Sequence, residues 1–120
     1  MKLKCSKIGV NQKAIKITLI IIFGGKIMRE QTVENRLVKE VEKLGGICWK
    51  FVSPGIAGVP DRLVLLPGGK IVFVELKAPG QKARKLQEYR HKQLRRLGFR
   101  VEIIDSIEGV KRFIYEYLDI

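Results

Sequence analysis

The sequence predicts an α/β domain in which helices cover a mixed β-sheet, with elements in the order α-β-β-β-α-β-α. Two observations carry this prediction. The hydrophobic pattern alternates between helical and strand spacing along the chain, and glycine or proline separates the segments. A chain of 120 residues, 46% hydrophobic and 30% charged, has room for one such domain with one core.

The first half of the domain predicts one helix and one strand. Glu30–Leu44 has valine and leucine at helical spacing, and the pair Gly45-Gly46 ends it. Ile47–Phe51 (ICWKF) is typical of a strand, and residues 53–60 (SPGIAGVP) form a turn-rich loop.

Asp61–Leu66 and Lys70–Leu76 predict a β-hairpin, joined through Pro67-Gly68-Gly69. Its second arm is apolar on both faces, which is typical of a strand buried on both sides. Glu75 and Lys77 then end that arm on one face. Burying these charges costs free energy unless they are paired or bound to an ion.

The second half predicts a helix, a strand and a final helix. Arg84–Leu97 has a thin apolar stripe with cations over most of the remaining surface, and Gly98 ends it. Arg100–Asp105 is predicted to be a strand, and Ser106 is predicted to cap the last helix. We expect that helix to bury Val110, Phe113, Ile114 and Tyr117.

The register of the hairpin decides whether its acids can meet. A two-residue turn at Gly68-Gly69 would place Asp61 opposite Leu76, on the other face of the sheet from Glu75. A three-residue turn made of Gly68, Gly69 and Lys70 would place Asp61 opposite Lys77, roughly 7–8 Å from Glu75 along the diagonal. We therefore predict an odd turn or a bulge that brings Asp61 onto the face of Glu75 and Lys77.

Charge favours a polyanionic partner. Lysine and arginine number 24 against 12 acids, giving a net charge of +12. Nucleic acid is the first candidate and an acidic membrane surface the second. Seven of the cations, on or just after the second helix, are predicted to lack compensating acids and to contact phosphates: Arg84, Lys85, Arg90, Lys92, Arg95, Arg96 and Arg100. A merely solvated basic face is the alternative.

Cysteine and histidine are too scarce for several kinds of site. With two cysteines and one histidine, the chain cannot build a zinc site from these residues, and a disulfide framework is not expected. His91 is predicted to be a solvated residue of the basic helix. Trp49 and Tyr89 are predicted to be core or half-buried residues.

Residues 1–27 differ from residues 28–120, which we assign to the folded domain. They contain six lysines and no acid, and Ile15–Phe23 is apolar but too short to span a bilayer. Three interpretations stay open: a signal-like segment, an extension without function ahead of a start at Met28, or an extra strand such as Lys16–Phe23. No stable membrane insertion is expected.

The acids and the lysine suit phosphodiester hydrolysis. Asp61, Glu75 and the carbonyl of Leu76 are suitable ligands for Mg²⁺, for which Mn²⁺ would substitute. Lys77 could orient or deprotonate the attacking water and stabilise the charge that develops on the phosphate. Glu34 would be a further metal-site carboxylate if its helix packs across this end of the sheet. Surface ion pairs of Asp61 with Arg62 and of Glu75 with Lys77 are the alternative.

These residues resemble a known family. Pro60-Asp61 followed by Glu75-Leu76-Lys77 resembles the PD-(D/E)xK nuclease signature. The stretch from Glu34 through Gly58-Val59-Pro60-Asp61 to Gln87 is similar to its VRR-NUC branch, the virus-type replication and repair nucleases. The resemblance implies a restriction-endonuclease-like core, Mg²⁺-dependent DNA cleavage, and often a homodimer.

By position, the resemblance makes Asp61, Glu75 and Lys77 catalytic residues. Glu34 becomes an acidic residue of the metal site, and Gln87 the helix residue that follows the motif. We group Gln87 with the side chains expected to contact DNA: Lys82, Arg84, Lys85, Arg90 and Lys92.

The sequence therefore predicts a metal-dependent DNA endonuclease that recognises nucleic-acid structure, such as nicks, branches or junctions, more than base sequence. It would act in replication, repair or recombination, without a small-molecule substrate, in the cytoplasm (that of the host, if a phage encodes it). A basic module that binds nucleic acid on the same fold without cleaving it is the first alternative. A translocated or membrane-associated protein that uses residues 1–27 is the second.

Overall fold

A computed structural model of the chain describes residues 25–118, with side chains from Glu30 onward. The elements follow the predicted order, and their ends differ from the prediction by a few residues. They are α1 (Gly25–Lys43), β1 (Ile47–Lys50), β2 (Arg62–Leu66), β3 (Lys70–Leu76), α2 (Lys85–Arg96), β4 (Arg100–Ile104) and α3 (Ile107–Tyr115). The interpretations of residues 1–24, including a strand at Lys16–Phe23, lie outside the described residues.

The four strands form one mixed sheet in the order β1-β2-β3-β4. The first three strands are antiparallel neighbours, and β4 runs parallel to β3. Because a parallel connection needs a long crossover, the segment between β3 and β4 carries α2 across one face of the sheet. The prediction of a mixed sheet is confirmed.

The hairpin between β2 and β3 has an odd loop. Leu66 pairs with Lys70 and Val64 with Val72, so the loop is Pro67, Gly68 and Gly69. The predicted three-residue turn that included Lys70 is therefore wrong by one residue. Gly68 and Gly69 both have positive φ (85° and 76°), so the chain reverses before Lys70, which is free to pair. The number of loop residues is still odd, as predicted. When the strand pairing is continued by one residue beyond Arg62, Asp61 lies opposite Glu75.

The core lies between one face of the sheet and the helices α1 and α3. Leu37 and Val41 of α1 pack there with Val64, Val74 and Val110, all of them fully buried. Ser106 caps α3 as predicted, since its Oγ accepts a hydrogen bond from the N–H of Gly109 at 2.9 Å. The core holds β3 between helices and neighbouring strands, so Val72–Leu76 is buried along its length.

The opposite face of the sheet is only partly covered. Phe73 packs there between the rings of Phe51 and Phe99, with centroid distances of 5.7 and 5.6 Å. Trp49 on β1 is 55% exposed, so its predicted burial is wrong, and Tyr89 on α2 is likewise exposed. The reason is the placement of α2, which packs against β4 and leaves the β1 side of this face open to solvent.

None of the helices within residues 25–118 has the length and apolar character needed to cross a bilayer.

Candidate active site

Asp61 lies at the mouth of the hairpin, held by backbone and side-chain contacts. Its carbonyl oxygen accepts a hydrogen bond from the N–H of Phe51 at 2.9 Å, which continues the pairing of β1 with β2. Its carboxylate Oδ2 accepts a hydrogen bond from the N–H of Leu76 at 2.8 Å. The preceding Pro60 is fully buried and donates no ladder hydrogen bond, as expected of proline just before a strand. The Asp61 carboxylate is thus directed toward the end of β3.

Glu75 is the most buried acid of the site, with 1% of its surface exposed. Its Oε2 accepts a hydrogen bond from Gln87 Nε2 at 3.0 Å and lies 3.3 Å from Lys77 Nζ. Its Oε1 has no hydrogen-bond partner within the part of the chain that the structure describes. Burial, followed by the negative charge of Asp61, raises the pKa of Glu75 to about 7, although Lys77 acts in the opposite direction. The two carboxyl groups therefore interact, as the predicted register requires.

Gln87 connects the acid and the lysine. Its Oε1 accepts hydrogen bonds from Lys77 Nζ at 2.7 Å and from the N–H of Arg84 at 2.9 Å, while its Nε2 donates to Glu75. One amide on α2 thereby holds the two charged side chains that end β3. The predicted contact of Gln87 with DNA stays a prediction, and the structure adds a positioning contact within the site.

A cleft of about 320 Å³ opens beside Asp61. Glu34 reaches this cleft from α1, as predicted, but its Oε2 accepts a hydrogen bond from Arg62 Nε at 2.7 Å. Arg62 also donates from Nη1 to the carbonyl of Cys48 at 3.1 Å. Arg62 thus pairs with Glu34 across the cleft wall, in contrast to the alternative of a pair with Asp61. The lining residues are Glu30, Glu34, Lys50, Phe51, Val52, Asp61 and Leu76.

The donor set is compatible with a hard divalent cation. The negative charge of Asp61 is one of the causes that raise the pKa of Glu75, and a cation shared by the two carboxylates would relieve this repulsion. Within residues 25–118, no group of three or more histidine, cysteine, aspartate or glutamate side chains is arranged to hold a metal. A cation here would be held by Asp61, Glu75 and the Leu76 carbonyl, with water completing its shell.

His91 is the site residue that the sequence prediction missed. It is 1% exposed, and its Nε2 lies 3.9 Å from Glu75 Oε1, so the prediction of a solvated position is wrong. Burial, followed by the charges of Arg95 and Lys77, lowers the pKa of His91. The available signal was spacing: His91 follows Gln87 by four residues and therefore shares its face of the helix.

The predicted DNA-contacting cations of this region fall into three groups. Arg90 donates from Nε to the carbonyl of Ala57 at 2.9 Å and so anchors the loop ahead of Asp61 to α2. Lys82 and Lys92, with Arg95, line a cavity of about 400 Å³ beside His91. The others that are exposed to solvent are Arg84, Lys85 and Arg96. Their contact with DNA stays a prediction.

Arg100 departs from the sequence prediction that it lacks compensating acids. Its Nη2 donates to Glu116 at 2.6 Å and its Nε forms an ion pair with Glu102. It also donates from Nη1 to the hydroxyl of Tyr117 at 2.9 Å. The acids that neutralise it come from its own strand and from the turn after α3, a contact between distant segments that composition does not reveal.

Comparisons with known proteins bear on this site. No model of a known protein family matches the sequence. Over 81 residues the chain is 56% identical to "Putative nuclease p44" of Acyrthosiphon pisum secondary endosymbiont phage 1. The aligned stretch covers 68% of this chain and 87% of that protein.

Solved structures agree with the sequence comparison. One described as "VRR_NUC domain" superposes with a TM-score of 0.71 at 34% identity, covering 74% of this chain and 97% of its own. A second, "VRR_NUC domain protein", has a TM-score of 0.59 at 16% identity over 75% of this chain and 88% of its own, a likeness of fold alone. The match with this chain covers 87% of the p44 protein and 97% of the first solved structure, and both share more than 30% sequence identity with it. The chain therefore belongs to the VRR-NUC family of nucleases.

Proposed function

We propose that this nuclease is a divalent-cation-dependent DNA endonuclease that selects its substrate by structure. The observation that carries the proposal is the meeting of Asp61, Glu75 and Lys77 at one end of the hairpin. There a buried carboxyl has its pKa raised to about 7, and an ammonium lies 3.3 Å from the same group. Perturbed titration together with a charge partner beside a cleft is typical of a catalytic site.

Each side chain has a distinct role in the proposal. A bound Mg²⁺ or Mn²⁺ would neutralise charge on the phosphate and acidify a water. Asp61, Glu75 and the Leu76 carbonyl would hold the cation. Lys77, kept in place by Gln87, orients the attacking water and stabilises the charge that develops on the phosphate oxygens. Glu34, paired with Arg62, forms part of the cleft wall and would be a further carboxylate near the cation.

The substrate side of the proposal rests on charge. Lys50 lines the cleft beside Asp61, and α2 carries several lysine and arginine side chains that are exposed to solvent. Long, exposed lysine and arginine side chains bind backbone phosphates, which carry no base sequence. This supports selection by DNA shape, at nicks, branches or junctions. Because the related p44 protein belongs to a phage, we place the reaction in the cytoplasm of a host cell.

Cleavage assays on matched DNA substrates test the proposal. Linear, nicked, forked and four-way-junction DNAs of the same sequence are incubated with Mg²⁺, with Mn²⁺ or with a chelator. We expect cleavage that requires the cation and favours one of the branched or nicked forms. Equal cleavage of all forms would show that the enzyme does not select DNA by structure. Cleavage in the presence of the chelator would show that no divalent cation is required. Tight binding without cleavage under every condition would establish the non-cleaving alternative.

A further inference from the structure

Two buried polar atoms, Glu75 Oε1 and His91 Nε2, lack a hydrogen-bond partner among the residues that the structure describes. They lie 3.9 Å apart, and each residue is 1% exposed. Leaving a buried polar group unsatisfied is costly, so such groups nearly always find a partner. Two unsatisfied atoms of complementary chemistry, side by side, are therefore expected to satisfy each other.

The chemistry of the two groups allows a hydrogen bond. An imidazole carries at least one ring N–H whether it is neutral or protonated, so His91 can act as a donor. Glu75 offers two acceptor oxygens, of which Oε2 is taken by Gln87 and Oε1 is open. A distance of 3.9 Å is too long for a hydrogen bond, and a shift of about 1 Å would reach the usual length.

Helix α2, which carries Gln87 and His91, is anchored at several points. Gln87 and His91 are four residues apart on α2 and face the end of β3 together. Arg95 donates from Nη2 to the carbonyl of Val101 at 2.9 Å, and Arg90 binds the carbonyl of Ala57. These contacts fix the position of α2 beside the end of β3.

We propose that His91 is a positioning residue whose Nε2–H donates to Glu75 Oε1. With Gln87 on Oε2, α2 then holds both oxygens of the carboxylate and fixes its plane relative to Asp61. The effect on catalysis rests on the proposed function, whereas the contact between His91 and Glu75 does not. A residue that merely fills space would tolerate an apolar side chain of similar volume, and His91 would not.

The test compares His91→Leu, which removes the donor, with His91→Gln, which places an amide N–H at a similar reach. Isothermal titration with Mn²⁺ is the first measurement. We expect His91→Leu to weaken Mn²⁺ affinity about tenfold and His91→Gln to restore it to within about threefold, as is usual for groups that orient metal ligands. On the preferred DNA, kcat should fall for His91→Leu while KM is unchanged. Equal Mn²⁺ affinities for wild type and His91→Leu would overturn the proposal.

A double-mutant cycle tests the contact without any cation or DNA. His91→Leu and Glu75→Leu are made singly and together, and the unfolding equilibrium constants of all four proteins are measured at one fixed pH. We expect the effects to be coupled by about fivefold or more in the unfolding constant. Additive effects would overturn the proposal. If wild type neither binds Mn²⁺ nor cleaves DNA, the proposed function fails and the cycle still decides the contact.

A second pair of variants covers the case in which His91→Leu does not fold. His91→Gln and His91→Asn are both polar, but only glutamine reaches the position of Nε2. The proposal expects Mn²⁺ to bind His91→Gln about tenfold more tightly than His91→Asn. Equal affinities of these two variants would contradict it.

Discussion

The carboxylate of Asp61 accepts a hydrogen bond from the backbone N–H of Leu76 at 2.8 Å, across the open end of a hairpin. This bond joins the start of one arm to the end of the other, fifteen residues later. It is possible only because the loop has an odd number of residues, which sets Asp61 on the face of Glu75. The site of this nuclease is therefore a consequence of hairpin register.

The raised pKa of Glu75 predicts that stability falls as pH rises. Between the ordinary value of 4.5 and about 7, folded Glu75 keeps a proton that the unfolded chain releases. The folded state binds more protons in this window, so its stability decreases with pH, by on the order of 3 kcal/mol in total by about pH 8. Urea unfolding without divalent cations from about pH 5 to about pH 8 measures the loss.

Glu75→Gln is the control, because it keeps the shape and removes the titration. Burial of neutral His91 acts in the opposite direction as the pH falls below 6.5, so the difference between wild type and Glu75→Gln isolates the contribution of Glu75. Parallel pH profiles for the two proteins would contradict the burial of an ionisable Glu75. Saturating Mn²⁺ should stabilise wild type at the alkaline end and leave Glu75→Gln unchanged.

Gln87→Leu separates positioning from DNA contact. The variant removes the donor to Glu75 and the acceptor for Lys77 while keeping an apolar stem. If Gln87 acts by holding the site, kcat falls by about tenfold to a hundredfold and DNA affinity stays constant. Single-turnover cleavage together with binding measured by anisotropy gives both quantities. Weaker binding with an unchanged single-turnover rate would instead assign Gln87 to the DNA interface.

Lys92→Ala and Lys82→Ala are expected to weaken DNA binding in a salt-dependent manner. Each removed phosphate contact should lower the slope of log affinity against log salt concentration by about one unit, with little change between DNA sequences. Lys111→Ala, an exposed lysine on α3, is the matched control and should leave the slope unchanged. If both test variants have the same slope as wild type, the cavity beside His91 is not part of the DNA-binding surface.

The open side of the sheet predicts where a dimer would form, if the homodimer implied by the family resemblance exists. Ile47, Leu65 and Ile71 align across three strands, next to the row of Trp49, Leu63 and Phe73. Aromatic side chains on an apolar patch are typical anchors of interfaces. Trp49→Lys should convert a dimer to a monomer in light scattering coupled to size-exclusion chromatography. A dimer that persists unchanged would place the interface elsewhere.

The sequence predicts the secondary-structure elements, and it marks Asp61, Glu75 and Lys77 as candidate catalytic residues. Both predictions rest on local patterns in the chain. Hydrophobic spacing reports secondary structure, and charges that end the doubly apolar strand at Glu75 and Lys77 point to a site. The turn was misplaced by one residue because Gly68 and Gly69 suit more than one loop. The errors at Trp49, His91 and Arg100 share a cause: each depends on where α2 or the turn after α3 lies against the sheet, which periodicity does not specify.

The most direct test of the central claim is the nicking of supercoiled plasmid across a Mn²⁺ titration. The claim is that Asp61 and Glu75 form one cation site that carries cleavage. We expect Asp61→Asn and Glu75→Gln each to lower the maximal rate by at least about a hundredfold and to weaken the Mn²⁺ dependence. Glu108→Gln, an exposed acid on α3, should cleave like wild type. Cleavage by Asp61→Asn or Glu75→Gln at the wild-type rate, with the same Mn²⁺ dependence, would contradict the account.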